Sequence, residues 1–276
     1  MKFQSPAENL FLTTTRIETT GKNTSGIATG FCFQYNIDKK GIGVRFFVTN
    51  KHVIENKHII TLHTPIANPD GTPDLTKRFT VQSLEKQWIK HESLDLALIP
   101  ASGTFNEMEK LGKPLAQKTF NNSHIPSKSQ WEDFDAIEDI MFIGYPNGIW
   151  DSENMLPVLR TGTTASPVNH DWGNHPRFLI DAGVYPGSSG SPVFLYNRGN
   201  YVDKRGNTII SSRFFLLGIL EKGFILKEYG EIEEINIPTS FNVKYKDMMN
   251  LGTVLKSSVI QDFAQKIVDS LEIEET

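Results

Sequence analysis

The sequence predicts an all-β protein built as two lobes with one closing helix. Short runs of β-branched and aromatic residues recur along the chain, broken by Gly, Pro, Asn and Asp, which is the pattern of a barrel or sandwich. Helical periodicity is scarce until the last stretch, and between Ala101 and Phe134 the strand pattern dissolves into polar sequence that reads as a link between lobes.

Strands are expected at 26–35, 43–49, 58–63, 79–83 and 94–99 in the first lobe, and at 139–143, 156–164, 178–181, 191–196 and 214–220 in the second. In the segment 254–272, Leu255, Val259, Phe263, Ile267 and Leu271 recur about four apart, so an amphipathic helix is expected to lay one face on the body. The stretches 64–76 and 196–212 read as solvated hairpin loops.

Net charge is −4, which supplies no electrostatic reason to bind nucleic acid or anionic lipid, so neither nucleic acid nor membrane is an expected partner. A lone cysteine, Cys32, has no partner for an internal disulfide, and the N-terminal segment lacks the apolar core of a signal peptide. Both point to a cytoplasmic location. Cys32 lies in an apolar strand and is expected to be an inert core thiol. No zinc-type spacing occurs, and neither metal nor cofactor is expected.

Acyl transfer to water needs a nucleophilic hydroxyl, a base, a group that orients the base, and backbone donors for an oxyanion. Residues 187–192 read Gly-Ser-Ser-Gly-Ser-Pro and set Ser189 in a glycine-flanked turn between two strand-like runs, where the N–H groups of Gly187 and Ser189 can converge in front of its hydroxyl. Such turns are common, and this one gains weight from two other segments. A hydrophobic strand, 46–49, runs into His52, and Asp95 sits inside an apolar run, 94–99, where an unpaired carboxylate would be costly.

These segments, Thr49-Asn50-Lys51-His52-Val53, Leu94-Asp95-Leu96-Ala97-Leu98 and Gly187-Ser188-Ser189-Gly190-Ser191-Pro192, resemble in kind and order the histidine, aspartate and serine motifs of the trypsin-like (chymotrypsin-fold) serine peptidases, most nearly the HtrA-like bacterial branch. Gly30-Phe31, Ile143-Gly144-Tyr145-Pro146 and Leu217-Gly218-Ile219-Leu220 are similar as well. The resemblance spans about residues 25–225. It implies a single domain over 1–276 made of two six-stranded antiparallel β-barrels, one at about 11–110 and one at about 136–250, joined by a linker at about 101–135 and closed by the C-terminal helix. It further implies a serine endopeptidase acting on protein or peptide substrates through an acyl-enzyme. Ser189 would then be the nucleophile, His52 the base, Asp95 its orienting group, and the N–H groups of Gly187 and Ser189 the oxyanion hole. An inactive or latent binding module on the same fold is the alternative, and an unrelated β-sandwich would leave Asp95 without a partner.

By the same resemblance, the pocket for the residue before the scissile bond is expected from Gly183, Val184, Tyr185, Leu220 and Glu221. Gly183 stands where trypsin-type enzymes carry a carboxylate, which favours small or medium apolar residues, although Asp181 or Glu221 can supply a negative charge. Ser188 replaces the aspartate that captures a processed N-terminus in digestive relatives, so gating by the loop before Ser189 is expected in place of zymogen cleavage. Ser191 stands where relatives often have glycine. His58, His63, His91, His124, His170 and His175 lack catalytic context and are expected in loops or at the surface.

Overall fold

Strands form at the expected β-branched and aromatic runs, because alternate side chains of each run have an apolar interior to enter, and also at Thr14–Thr20 and Val243–Lys256, where none was expected. The computed structural model describes residues 3, 5–22, 24–38, 41–230 and 243–274. The first half contains α1 (Pro6–Leu10), β1 (Thr14–Thr20), β2 (Ser25–Asn36), β3 (Gly43–Thr49), α2 (Lys51–Ile54), β4 (Ile59–Ala67), β5 (Pro73–Leu84), β6 (Ile89–Lys90) and β7 (Ala97–Pro100). The link contributes α3 (Ser102–Lys110), β8 (Phe120–Asn121) and α4 (Lys128–Asp133). The second half contains β9 (Asp139–Gly144), β10 (Val158–Thr164), β11 (Arg177–Asp181), β12 (Pro192–Asn197), β13 (Tyr201–Val202), β14 (Thr208–Ile209), β15 (Arg213–Gly230), β16 (Val243–Lys256) and α5 (Ser257–Glu274).

The second half closes into the expected six-stranded antiparallel barrel, in the order β10-β11-β16-β15-β12-β9. Phe142, Phe178, Ile180, Val193, Leu217 and Val254 fill it. The first half is an eight-stranded sheet ordered β5-β4-β1-β2-β3-β7-β6, with β8 added parallel to β2. Among the described residues its ends are not paired. β6 is only two residues long and offers too few rungs to reach β5, so the sheet curls around Ile17, Cys32, Phe47, Ile60 and Leu62 without hydrogen-bonded closure. Cys32 is fully buried there, and burial pushes its thiol up to about 12, as befits an inert core group. A further cluster of Phe31, Phe46, Ile143, Phe194, Ile219 and Ile260 joins both halves to α5. Each of those side chains contributes roughly 1.5–3 kcal/mol by leaving water.

The C-terminal helix begins three residues later than its periodicity implies. Leu255 pairs with Ile219 and Arg177 in the barrel, so 254–256 are strand, and the face that α5 buries is led by Val259, Ile260, Ala264 and Val268. Leu271, expected on that face, is exposed. Residues 64–76 are largely strand on either side of a tight turn at Asn68–Thr72, and 196–212 hold the small β13–β14 hairpin. No helix among the described residues is long and apolar enough to cross a membrane.

Three histidines expected in loops or at the surface are in fact packed. The His63 ring lies 3.4 Å from Glu18, His91 meets Phe263 edge-on, and His124 stands against Phe120 and Phe214. Burial pushes all three below the ordinary histidine value, a shift that Glu18 partly offsets at His63. A depressed folded-state pKa gives stability that is full above about pH 6.5 and is lost as pH falls, because the unfolded chain takes up protons first. The urea midpoint is therefore expected to fall between pH 7.5 and 5, and His124→Gln to lessen that slope; an unchanged slope in the variant would remove His124 from the account.

Candidate active site

The segment at the end of β3 works residue by residue. Thr49 Oγ1 donates to the Thr29 carbonyl at 2.9 Å, tying β3 to β2. Asn50, extended at the N-cap of α2, donates through Nδ2 to the Asp95 carbonyl at 3.0 Å. Lys51 Nζ donates to the carbonyls of His91 and Glu92 at 3.0 and 3.2 Å. Asn50 and Lys51 thus hold the loop that presents Asp95. That loop lies ahead of β7, which begins at Ala97, not at residue 94 as the apolar run suggests. The chain bends there, Leu96 N–H bonding the Leu94 carbonyl, because the Asp95 carboxylate is drawn to His52.

Asp95 Oδ1 accepts the His52 backbone N–H at 2.8 Å, and Oδ2 lies 2.6 Å from His52 Nδ1. An ionised carboxylate only accepts, so Nδ1 carries the proton, and in the neutral ring Nε2 keeps its lone pair. Burial pushes the Asp95 carboxyl up, but the bonds from the His52 ring and backbone outweigh it, and the Lys222 cation adds to them, so the carboxyl is held below its usual range. The His52 side chain is 43% exposed and the Asp95 side chain 13%, which leaves the ring edge open and its anchor enclosed.

The turn at 187–191 is held from both lobes. Gly187 and Gly190 adopt φ of +91° and +89°, conformations that favour glycine. Gly190 N–H bonds the Leu220 carbonyl and Leu220 N–H the Ser191 carbonyl, which fastens the turn to β15. From the first half, Thr29 N–H donates to the Ser189 carbonyl at 2.9 Å, and Thr29 Oγ1 donates to the Gly187 carbonyl at 2.9 Å while accepting the Tyr145 N–H at 3.1 Å. Among the described residues, the N–H groups of Gly187 and Ser189 donate to no protein acceptor. Ser191 is fully buried, and its hydroxyl occupies the space that a Cβ on Gly144 would need. The larger residue at 191 is accommodated by the glycine across from it.

His52 and Ser189 line one cleft of about 280 Å³, with Thr19, Ile27, Lys57 and Gly187. No hydrogen bond joins Ser189 Oγ to the His52 ring. Of the residues expected in a substrate pocket, Val184 and Leu220 are buried in the second barrel, and Glu221 is buried with its carboxylate bonded to Arg177 at 3.3 Å and to Thr253 at 3.2 Å. Gly183 and Tyr185 lie instead beside Arg160. Sequence reasoning named Asn50 and Lys51 only as motif neighbours of His52 and gave no role to Thr29 or Lys222. Thr29 had a faint signal, standing next to Gly30-Phe31; Lys222 had none.

Thr29→Val keeps the shape of the side chain but strands a carbonyl and an N–H inside the protein, at a cost of about 1–3 kcal/mol for each group. The variant is expected to unfold at lower urea and to loosen the 187–191 turn, seen as faster amide exchange there, while Thr29→Ser retains wild-type behaviour in both measurements.

Comparison with known proteins agrees with this architecture. No curated protein matches the sequence. Among solved structures, HL collagenase superposes with a TM-score of 0.50 at 11% identity, with 95% of each chain covered. The serine endoprotease from Yersinia pestis gives 0.48 at 14% identity, covering 96% of this chain and 68% of that one. The Rv3671c protease from M. tuberculosis gives 0.46 at 13%, covering 91% and 79%. At such identities the likeness concerns the fold. The sequence model of the trypsin-like peptidase domain matches residues 28–202, more than half of the chain and the part that carries His52, Asp95 and Ser189, and the protein therefore belongs to the trypsin-like peptidase family.

Proposed function

We propose that this peptidase is a serine endopeptidase working through Ser189, His52 and Asp95. The observation that carries the reading is the bond between His52 Nδ1 and Asp95 Oδ2, which leaves Nε2 as a free base at the cleft that Ser189 also lines. Ser189 Oγ attacks the scissile carbonyl carbon while its proton passes to His52 Nε2. The tetrahedral oxyanion is met by the unengaged N–H groups of Gly187 and Ser189. As the C–N bond breaks, Nε2 returns the proton to the leaving amine, and water then repeats the sequence on the acyl-enzyme. Asp95 stays ionised throughout, holding the ring and offsetting the imidazolium charge.

The absence of a bond between Ser189 and His52 favours a second reading, a latent site that closes only when substrate or a partner orders the turn. Hydrogen bonds in unliganded sites are often long, so the same geometry also fits an enzyme waiting for substrate.

Labelling with a fluorophosphonate, followed by mass spectrometry of the adduct, separates the two. Modification at Ser189 in the wild type, its loss in Ser189→Ala, and a steep fall in His52→Ala are expected. Asp95→Asn, which favours the wrong imidazole tautomer, should lower kcat by about 10⁴-fold with the fold intact. A folded wild-type protein that takes no label would turn the assignment toward the latent module.

A further inference from the structure

Just ahead of Ser189 in the chain, residues 183–185 run beside the part of β15 that holds Leu220. Val184 and Leu220 meet over Gly252, whose missing Cβ would lie 2.8 Å from the one and 3.2 Å from the other. Val184 is turned into the barrel core, so its neighbours Gly183 and Tyr185 turn the opposite way. There they meet Arg160 of β10. Its guanidinium carbon lies 5.1 Å from the Tyr185 ring centroid, and a Cβ on Gly183 would be 3.0 Å from that carbon and would overlap Nη2. The missing side chain at Gly183 is what lets the guanidinium lie there.

Arg160 differs from the arginines around it. Arg177 is paired with Glu221, and Arg213 with Glu138. Arg160 has no carboxylate partner among the described residues; its buried Nε lacks an acceptor, as does that of Arg177, which however pairs through Nη1. A half-buried guanidinium without a counter-ion is an unfilled receptor for a carboxylate, whose two oxygens match its planar fork. The carboxylate next to Leu220, Glu221, is already bonded to Arg177 and Thr253.

We propose that Arg160 makes the pocket beside Ser189 a carboxylate receptor, so that the enzyme cleaves after Asp or Glu. The inference rests on the reading of Ser189 as nucleophile and on the resemblance that sets the pocket for the acyl residue at Gly183 and Tyr185, whose carbonyl accepts the Ser188 N–H. It replaces the apolar preference expected from Gly183 alone, because the group that decides the pocket's charge comes from a strand 23 residues earlier in the chain. Charge-assisted bonding of this kind corresponds to about 10- to 100-fold in discrimination.

The test is a peptide library varied at the residue before the cleaved bond, run beside fluorophosphonate labelling. Wild type is expected to cleave after Glu or Asp at least ten-fold better in kcat/KM than after Gln, Leu or Lys. Arg160→Gln should erase that margin while Ser189 still labels. Arg160→Lys, which keeps the cation but loses the planar fork, should keep a preference for Glu over Gln that Arg160→Gln lacks, and labelling of Ser189 at the wild-type rate in both variants guards against misfolding. A labelled enzyme that cleaves after apolar or basic residues would overturn the inference and leave the peptidase reading standing. A protein that neither labels nor cleaves would sink the peptidase reading instead. The pocket is then decided without turnover, by calorimetry of acetylated peptides ending in Glu, Gln, Leu or Lys on Ser189→Ala: tighter binding of the Glu peptide that Arg160→Gln abolishes supports the receptor, and equal binding of all four refutes it.

Discussion

Every polar atom of Thr29 is bonded, and the site hangs on those bonds. Its N–H holds the Ser189 carbonyl, its hydroxyl holds the Gly187 carbonyl and accepts from Tyr145, and its own carbonyl accepts from Thr49. One buried residue of β2 therefore connects the strand that leads to His52, the end of β9 in the second barrel, and the turn that carries Ser189. Buried polar groups are costly when unpaired, so these bonds fix the mutual position of the two halves more sharply than the apolar contacts between them. The close approach demands glycine at 190, where a Cβ would overlap the Thr29 carbonyl.

On the histidine side the same economy holds. Four consecutive residues, Thr49 to His52, each spend their side chain on a different part of the site, and three of them act on the loop that carries Asp95. The imidazole is held through both its ring and its backbone N–H, which leaves it little freedom except at the edge that faces the cleft. With His52 as the proposed base, such support on both sides of the ring is preorganisation: the orienting bonds exist before substrate arrives.

The electrostatics of the site oppose those of the chain. Net charge is −4, yet Lys57 lines the cleft, Lys222 acts on Asp95, and Arg160 stands unpaired behind Gly183. On the proposed reading, these cations favour anionic side chains locally while the net charge of the chain disfavours polyanions.

Strand periodicity made the β architecture legible, and the need of an aspartate in an apolar run for a partner foretold that Asp95 would be paired, with His52 named only by the family resemblance, because both signals are local or depend on a few residue types at short range. The extent of each strand was less legible: Asp95 left its strand to reach His52, and Leu255 joined the barrel instead of α5, since hydrogen-bonded neighbours distant in sequence outbid local periodicity. The first half's unclosed sheet likewise depends on β6 being two residues long, which propensity does not set. The sequence by itself determined the fold class, the order of the three motifs and the inert burial of Cys32. Only the tertiary structure decided which atoms Thr29 joins and what charge stands behind Gly183, because both come from strands that meet through sheet register and the packing of the two lobes, and neither is written in the residues adjacent to Ser189.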